Sequence, residues 1–349
     1  MAVRRDARDP PREARPRRRS ARRVLVRRLL PLLVAALVLY GVAPAVLEVF
    51  GAYDRLKDVD AWWWVAVLVT SAAGIGCMCA LQRLALNRAP WPAVLSSELA
   101  GAAFSKVVPG GSAAASALQA RMLAQAGFAP AAIGTGLTAG ALLLLGALAG
   151  LPLLALPALL FGKRIPGGLL EVAAVGLAVF AILCAVGTAL LVNHRVVLVF
   201  ARVIALAGRA LRRESDERRL RERLLEERTR LRRSLGRSWP QAVASASGRW
   251  IFDFLCLYAA LLAVDARPPL YVALLAYSGA QLLGQIPLTP GGLGIVEAGL
   301  TGTLALAGVP AAPAALATLT YRLASYWLPL PAGLAAWLWH RRRYGPRSA

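Results

Sequence analysis

Cysteine and histidine are scarce in this chain: four and two among 349 residues. Cys77, Cys79, Cys184 and Cys256 all lie in apolar runs without metal-ligand spacing, so they read as packing residues. So few cysteines exclude a small secreted disulfide scaffold. His194 and His340 stand at the ends of apolar runs beside basic segments, which suits an interfacial position. No His/Cys/Asp cluster and no nucleophile–base pair is legible, so no metal, no cofactor and no enzymatic activity are expected. Acidic residues are also few, 18 against 41 Lys and Arg, for a net charge of +23. What the chain has in abundance is apolar residues, 58% of the total, with a mean hydropathy of +0.57. That content excludes general disorder. The apolar residues fall in runs of about 20, the length that crosses a hydrocarbon core of ~30 Å. The fold class is therefore all-α, a polytopic membrane helical bundle.

The positive charge is concentrated in three places. Residues 1–28 hold twelve Arg and three acids, 195–237 hold fourteen Arg and six acids, and 341–349 hold four Arg. These segments carry +21 of the +23, all outside the apolar runs. Basic excess beside spans marks the cytoplasmic face. Nucleic acid is not expected as a partner, because no basic fold with interleaved aromatics accompanies the arginines.

Residues 1–28 form a basic tail, followed by a first membrane half over 29–192. A basic cytoplasmic linker covers 193–239, a second membrane half 240–340 and a second basic tail 341–349. The start imitates a signal peptide, but 29–49 is long enough to span and reads as an uncleaved first helix. Further full spans are expected at 61–82, 131–156, 168–192, 241–264 and 313–339, six in all. Trp62, Trp63 and Trp64 suit an interfacial belt. In the linker, Leu220, Leu224, Leu231 and Leu235 recur at helical spacing amid charges, as in an amphipathic surface helix.

Two apolar segments are interrupted. Residues 93–126 contain Val108-Pro109-Gly110-Gly111, and 269–309 contain Pro287-Leu288-Thr289-Pro290-Gly291-Gly292-Leu293-Gly294. Proline lacks the N–H and glycine disfavours helix, so each segment should break into a re-entrant hairpin of two half-helices. Broken backbone at membrane depth is tolerated where it is buried in protein or lines a polar cavity. Counting spans with both termini inside puts every strongly basic block in the cytoplasm, with Lys163 and Arg164 the discordant pair outside. The hairpins then enter from opposite faces. They also match at an offset of 181: Pro109-Gly110-Gly111 with Pro290-Gly291-Gly292, and Leu123-Ala124-x-Ala126-Gly127 with Leu304-Ala305-x-Ala307-Gly308. Hairpins related in this way point to an inverted repeat with a site near the midplane.

Ionisable residues inside apolar segments each cost at least ~2.5 kcal/mol on insertion scales, so they mark sites or pair with each other. They are Glu98, Lys106, Arg121, Arg249, Asp253, Glu297 and Arg322. Arg249 and Asp253, four apart, read as a structural ion pair. Half-helices starting after Gly110-Gly111 and Gly291-Gly292 would aim unpaired N–H groups and a positive dipole end at an anion. Ser112 and Thr289 could add hydroxyls, and Lys106, Arg121 and Arg322 full positive charge, although Arg121, near the cytoplasmic end of its half-helix, reads equally as snorkelling to the interface. Glu98 and Glu297 would each balance an arginine (Arg322 for Glu297), meet a substrate amine or carry a proton.

The stretch Gln285-Ile286-Pro287-Leu288-Thr289-Pro290-Gly291-Gly292-Leu293-Gly294-Ile295-Val296-Glu297-Ala298-Gly299, with Leu306-Ala307-Gly308-Val309 and Tyr321-Arg322-Leu323-Ala324-Ser325-Tyr326-Trp327, resembles the lysylphosphatidylglycerol synthase transmembrane-region family, flippase-like integral membrane proteins. Val108-Pro109-Gly110-Gly111 and Arg121-Met122-Leu123 look like that family's first broken segment. The resemblance implies movement of an anionic phospholipid or a polyprenyl-linked lipid between leaflets. The best-known relatives fuse this region to a cytoplasmic aminoacyl-transferase domain. Here nine residues follow His340, and no transferase activity is expected. A secondary transporter of a small anion, or an accessory membrane subunit of a lipid-modifying system, would fit the same residues.

Overall fold

The computed structural model describes residues 60–108, 111–192, 238–285, 292 and 294–345. The expected first span at 29–49, the linker over 193–237 and both basic tails up to residue 28 and from 346 lie outside them. Every regular element among the described residues is helical. In chain order these are α1 (Ala61–Ala85), α2 (Trp91–Val107), α3 (Gly111–Gln125) and α4 (Pro130–Gly150). A 3₁₀ segment, Leu151–Ala155, leads into α5 (Leu156–Leu160), then α6 (Gly167–Val192). The second half holds α7 (Trp239–Ala263), α8 (Leu270–Gly284), α9 (Ile295–Leu306) and α10 (Ala311–Arg322). A π segment, Leu323–Trp327, and α11 (Pro329–Tyr344) complete it. Four stretches are long and apolar enough to cross a membrane: 61–85, 130–160, 167–187 and 239–263. Large apolar side chains such as Val69, Leu142, Val175 and Ile182 stay exposed on them, as lipid-facing positions should.

The interrupted segments break where Pro and Gly dictate. Helix α2 ends at Val107 and α3 starts at Gly111. A Cβ at Gly111 would sit 2.1 Å from the Ser105 carbonyl oxygen, so only glycine lets the hairpin close. Helix α8 ends at Gly284, and α9 starts after Gly294, whose φ is +80°.

The internal repeat is visible in hydrogen bonds. After α3, Phe128 N–H donates to Leu123 C=O and Gly127 N–H to Ala124 C=O; after α9, Val309 donates to Leu304 and Gly308 to Ala305. Both are the same left-handed glycine cap, with φ +93° at Gly127 and +84° at Gly308. The next helices start at Pro130 and Ala311, again 181 apart. At this offset α1 corresponds to α7, and the two pack side by side. Val67 meets Cys256, Gly74 meets Arg249 and Phe252, Cys77 meets Gly248, and Leu81 clusters with Ala242 and Ala246. As one number rises the other falls, so equivalent helices run antiparallel and the repeat is inverted. Gly74 and Gly248 permit this close approach, as small residues do between membrane helices.

The final apolar segment differs from the single span expected at 313–339. Helix α10 passes through the π segment, where Leu328 N–H reaches back to Leu323 C=O, before α11 resumes at Pro329. Pro329 has no N–H to donate to the Ser325 carbonyl, so the regular ladder fails there. His340 also differs from its expected interfacial position. It is buried between α2, α3 and α11, with Nδ1 2.7 Å from Ser96 Oγ and Nε2 3.0 Å from Met122 O. The basic run that follows it concealed a polar clasp.

Candidate functional site

Two adjoining cavities, of about 350 and 280 Å³, occupy the bundle interior. They share Met78, Glu98, Ala102 and Ser105 as a common wall. The larger lies among α1 to α4 and reaches Gly284, Gln285 and Gly292 of the second hairpin. The smaller brings together Glu98, Lys106, Arg249, Asp253 and Arg322. A cavity lined by both hairpins is the setting that makes irregular backbone tolerable inside a bilayer.

Arg249 and Asp253 are one turn apart on α7, and Nη1 sits 2.8 Å from Oδ1. The other carboxylate oxygen, Oδ2, accepts hydrogen bonds from the hydroxyls of Tyr277 and Tyr321, each at 2.6 Å. Gln281 Nε2 donates to the Tyr321 oxygen at 2.7 Å. Asp253 is thus fully satisfied while buried, as a charge in a low-dielectric interior must be. Side chains from α7, α8 and α10 converge on it, so this pair braces the second half.

Arg322, at the end of α10, places Nε 2.7 Å from Glu297 Oε1 without a linear hydrogen bond, and Nη2 donates to Gly292 O at 3.3 Å. Glu297 Oε2 accepts the Gly294 N–H at 2.7 Å. Glu297 is the third residue of α9, so its carboxylate caps that helix and sits at the positive dipole end. This corrects a sequence expectation: the α9 N-terminus offers no vacant anion site, because the protein's own carboxylate fills it.

Lys106, near the end of α2, has no carboxylate partner among the described residues. Its ammonium donates to the carbonyls of Ser325 and Tyr326, and Tyr326 Oη donates back to Lys106 O at 2.7 Å. Lys106 thereby supplies the donor that Pro329 cannot. The Tyr326 ring lies 5.3 Å from both Lys106 Nζ and Arg322 Cζ, a cation–π contact with each.

Glu98 is the remaining interior acid. It is 5% exposed, it shares the wall of the larger cavity with Gln119, and no cation is in ion-pair contact with it among the described residues. Gln82 Nε2, on the same cavity wall, is a buried donor with no partner.

The structure therefore gathers Lys106, Gly111, Gly292, Arg322 and the Arg249–Asp253 pair around the cavities, with Glu297 behind Arg322. Arg121 is elsewhere: it is exposed on α3 and lines neither cavity. Gly110, Thr289 and Gly291 lie outside the described residues. Sequence reasoning passed over Gln82, Gln119, Tyr277, Gln281, Tyr321 and Tyr326. The usable signal was a polar amide or hydroxyl standing alone in an apolar helix.

The sequence has counterparts among known proteins. A sequence model of the lysylphosphatidylglycerol synthase transmembrane region matches residues 16–333. The chain belongs to that family. Two relatives from Methanothermobacter thermautotrophicus, each described as a UPF0104 membrane protein, share shorter stretches. One is 34% identical over 96 residues, 28% of this chain and 27% of the relative. The other is 36% identical over 87 residues, 25% of this chain and 26% of the relative. The chain thus spans about a quarter of the length of the curated relatives it matches. The lysylphosphatidylglycerol synthase transmembrane-region fold is accordingly that of a multi-pass membrane protein.

Proposed function

We propose that this family member is a lipid translocase that moves an anionic phospholipid or polyprenyl-linked headgroup between leaflets, with both termini cytoplasmic. One observation carries the reading: charged side chains on otherwise apolar helices converge on a single pair of joined cavities, flanked by both broken hairpins. Such charges are costly in a bilayer and face polar pathways where they persist. The headgroup would occupy the cavities while its acyl chains remain in lipid. Lys106 is the cation best suited to the phosphate, since its present partners are neutral carbonyls. Arg322 adds positive potential beside it.

The test uses vesicles reconstituted with the purified full chain and fluorescent phosphatidylglycerol, with transbilayer movement read by chemical quenching of the outer leaflet. Wild-type protein should equilibrate the leaflets at least about tenfold faster than empty vesicles. Arg322→Ala should return the rate to the empty-vesicle value while the purified variant stays helical. Wild-type transfer no faster than in protein-free vesicles would eliminate this reading. Tagged termini accessible only from the cytoplasm would support the orientation.

A further inference from the structure

We propose that Glu98 is a proton-carrying group of this cavity, and that one proton accompanies each phosphate monoanion bound there. The inference rests on the translocase reading and adds its coupling. It starts from a difference among the three interior acids. Asp253 has Arg249 and Glu297 has Arg322 in ion-pair contact, whereas Glu98 has no such partner among the described residues: it shares a cavity wall with Gln119, and Arg249 acts on it only from a distance. It is nonetheless buried and lines both cavities.

Charge balance then sets what the cavity can accept. Lys106, Arg249 and Arg322 bring three positive charges, Asp253 and Glu297 two negative ones, each with its arginine. A neutral Glu98 leaves one uncompensated positive charge, on Lys106. A phosphate monoanion cancels it. With Glu98 ionised, the same anion leaves the site one negative charge in excess, which a low-dielectric interior disfavours. Gln82 Nε2, an unpartnered donor on the Glu98 side of the cavity, suits the anion's oxygens. The proton joins the Glu98 carboxylate from water on the side where the headgroup enters and returns to water where it leaves, with no other bond made or broken.

Other groups around Glu98 are Cys79 and Gln82 on α1, Ser105 and Lys106 on α2, Gln119 on α3, Arg249 and Asp253 on α7 and Arg322 on α10. Of these, Lys106 is the competing source of a pH response, since an ammonium that loses its proton also weakens anion binding. Glu98→Gln and Lys106→Arg separate the two. The first is permanently neutral, and the second keeps its charge across the accessible pH range.

The experiment measures binding of short-chain phosphatidylglycerol to the full chain in detergent from pH 6 to 9.5, with heats recorded in buffers of different ionisation enthalpy. Wild-type affinity should fall about tenfold per pH unit above the Glu98 titration, as linkage to one proton requires. In that limb, one proton should be taken up per lipid bound. Glu98→Gln should bind with flat affinity and no uptake, while Lys106→Arg should keep both the slope and the uptake. Wild-type binding with no proton uptake at any pH overturns the proposal and leaves the translocase reading intact. So does a pH slope that survives in Glu98→Gln or vanishes in Lys106→Arg. Should Glu98→Gln fail to fold, the wild-type uptake and the Lys106→Arg slope still decide. The chain-free phosphodiester glycerophosphoglycerol is the second arm. Binding as tight as the lipid's would move the same coupling to a water-soluble anion and overturn the lipid reading; absence of lipid binding at every pH would overturn both.

Discussion

Helices α3 and α9 stand at equivalent places in the two hairpins and end in the same left-handed glycine cap, yet their starts are treated in opposite ways. Glu297 closes the α9 start and is itself held by Arg322. At its register position in the first hairpin, Ser116 turns its hydroxyl back to Ser112 O, and the α3 start, with Gly111 and Ser112, lines the larger cavity. The other interior charges follow suit. Glu98, Lys106, Arg249, Asp253 and Arg322 correspond to Gly279, Pro287, Leu68, Ala72 and Ala141 at the offset of 181. The backbone plan is duplicated, whereas no interior charge is. Folding and chemistry are therefore separable here, and mutations should divide along that line.

The largest effect is expected where the first hairpin closes. Gly111→Ala drives a methyl into backbone and should cost about 3 kcal/mol, at the upper end for overpacking. Resistance of the purified protein to thermal or detergent denaturation checks it. Next is the asymmetric pair. Arg322→Ala strands a partly buried carboxylate and should cost roughly 2–3 kcal/mol, below the full value for a buried pair because Glu297 is 26% exposed. Adding Glu297→Gln should recover part of that loss, and a double-mutant cycle reads the coupling. Lys106→Met leaves the Ser325 carbonyl without its donor, costing about 1–3 kcal/mol, with no counterpart when Pro287 is changed to Ala. The smallest effects should be equal across the halves. Gly127→Ala and Gly308→Ala meet no atoms within 4 Å and suffer only left-handed strain, about 1–2 kcal/mol each. Unequal costs at these two glycines would weaken the repeat itself.

These contrasts also show what the sequence makes legible. Apolar run length and the positions of Pro and Gly are local signals, so α1, α4, α6 and α7 and both hairpin breaks could be placed from them. The pairing of Arg249 with Asp253 was readable because both lie on one helix. Glu297 and Arg322, 25 residues apart on two helices, could be named as a pair only as one of several roles for Glu297, and Lys106 with Ser325 joins the two halves; neither distance is encoded in spacing. Arg121 shows the reverse case, where the sequence left a site charge and an interfacial snorkelling side chain both open. Its composition matched the cluster, but its direction on α3 turns it outward, which proximity in sequence cannot reveal. The bend in the last segment was visible as Pro329 and Pro331, yet a hydrophobic tally weighs proline by its polarity and misses its absent N–H.

That absent N–H has a mechanical consequence. One ammonium, on Lys106, has two claimants: the carbonyl at Ser325 that α11 cannot serve, and any anion admitted to the cavity. The Ser325 and Tyr326 carbonyls take two of its three N–H donors, so an anion could be met by the third, and only one that drew the ammonium away would leave the π segment short of a donor. The donor that completes the last bend therefore stands on the wall of the cavity itself.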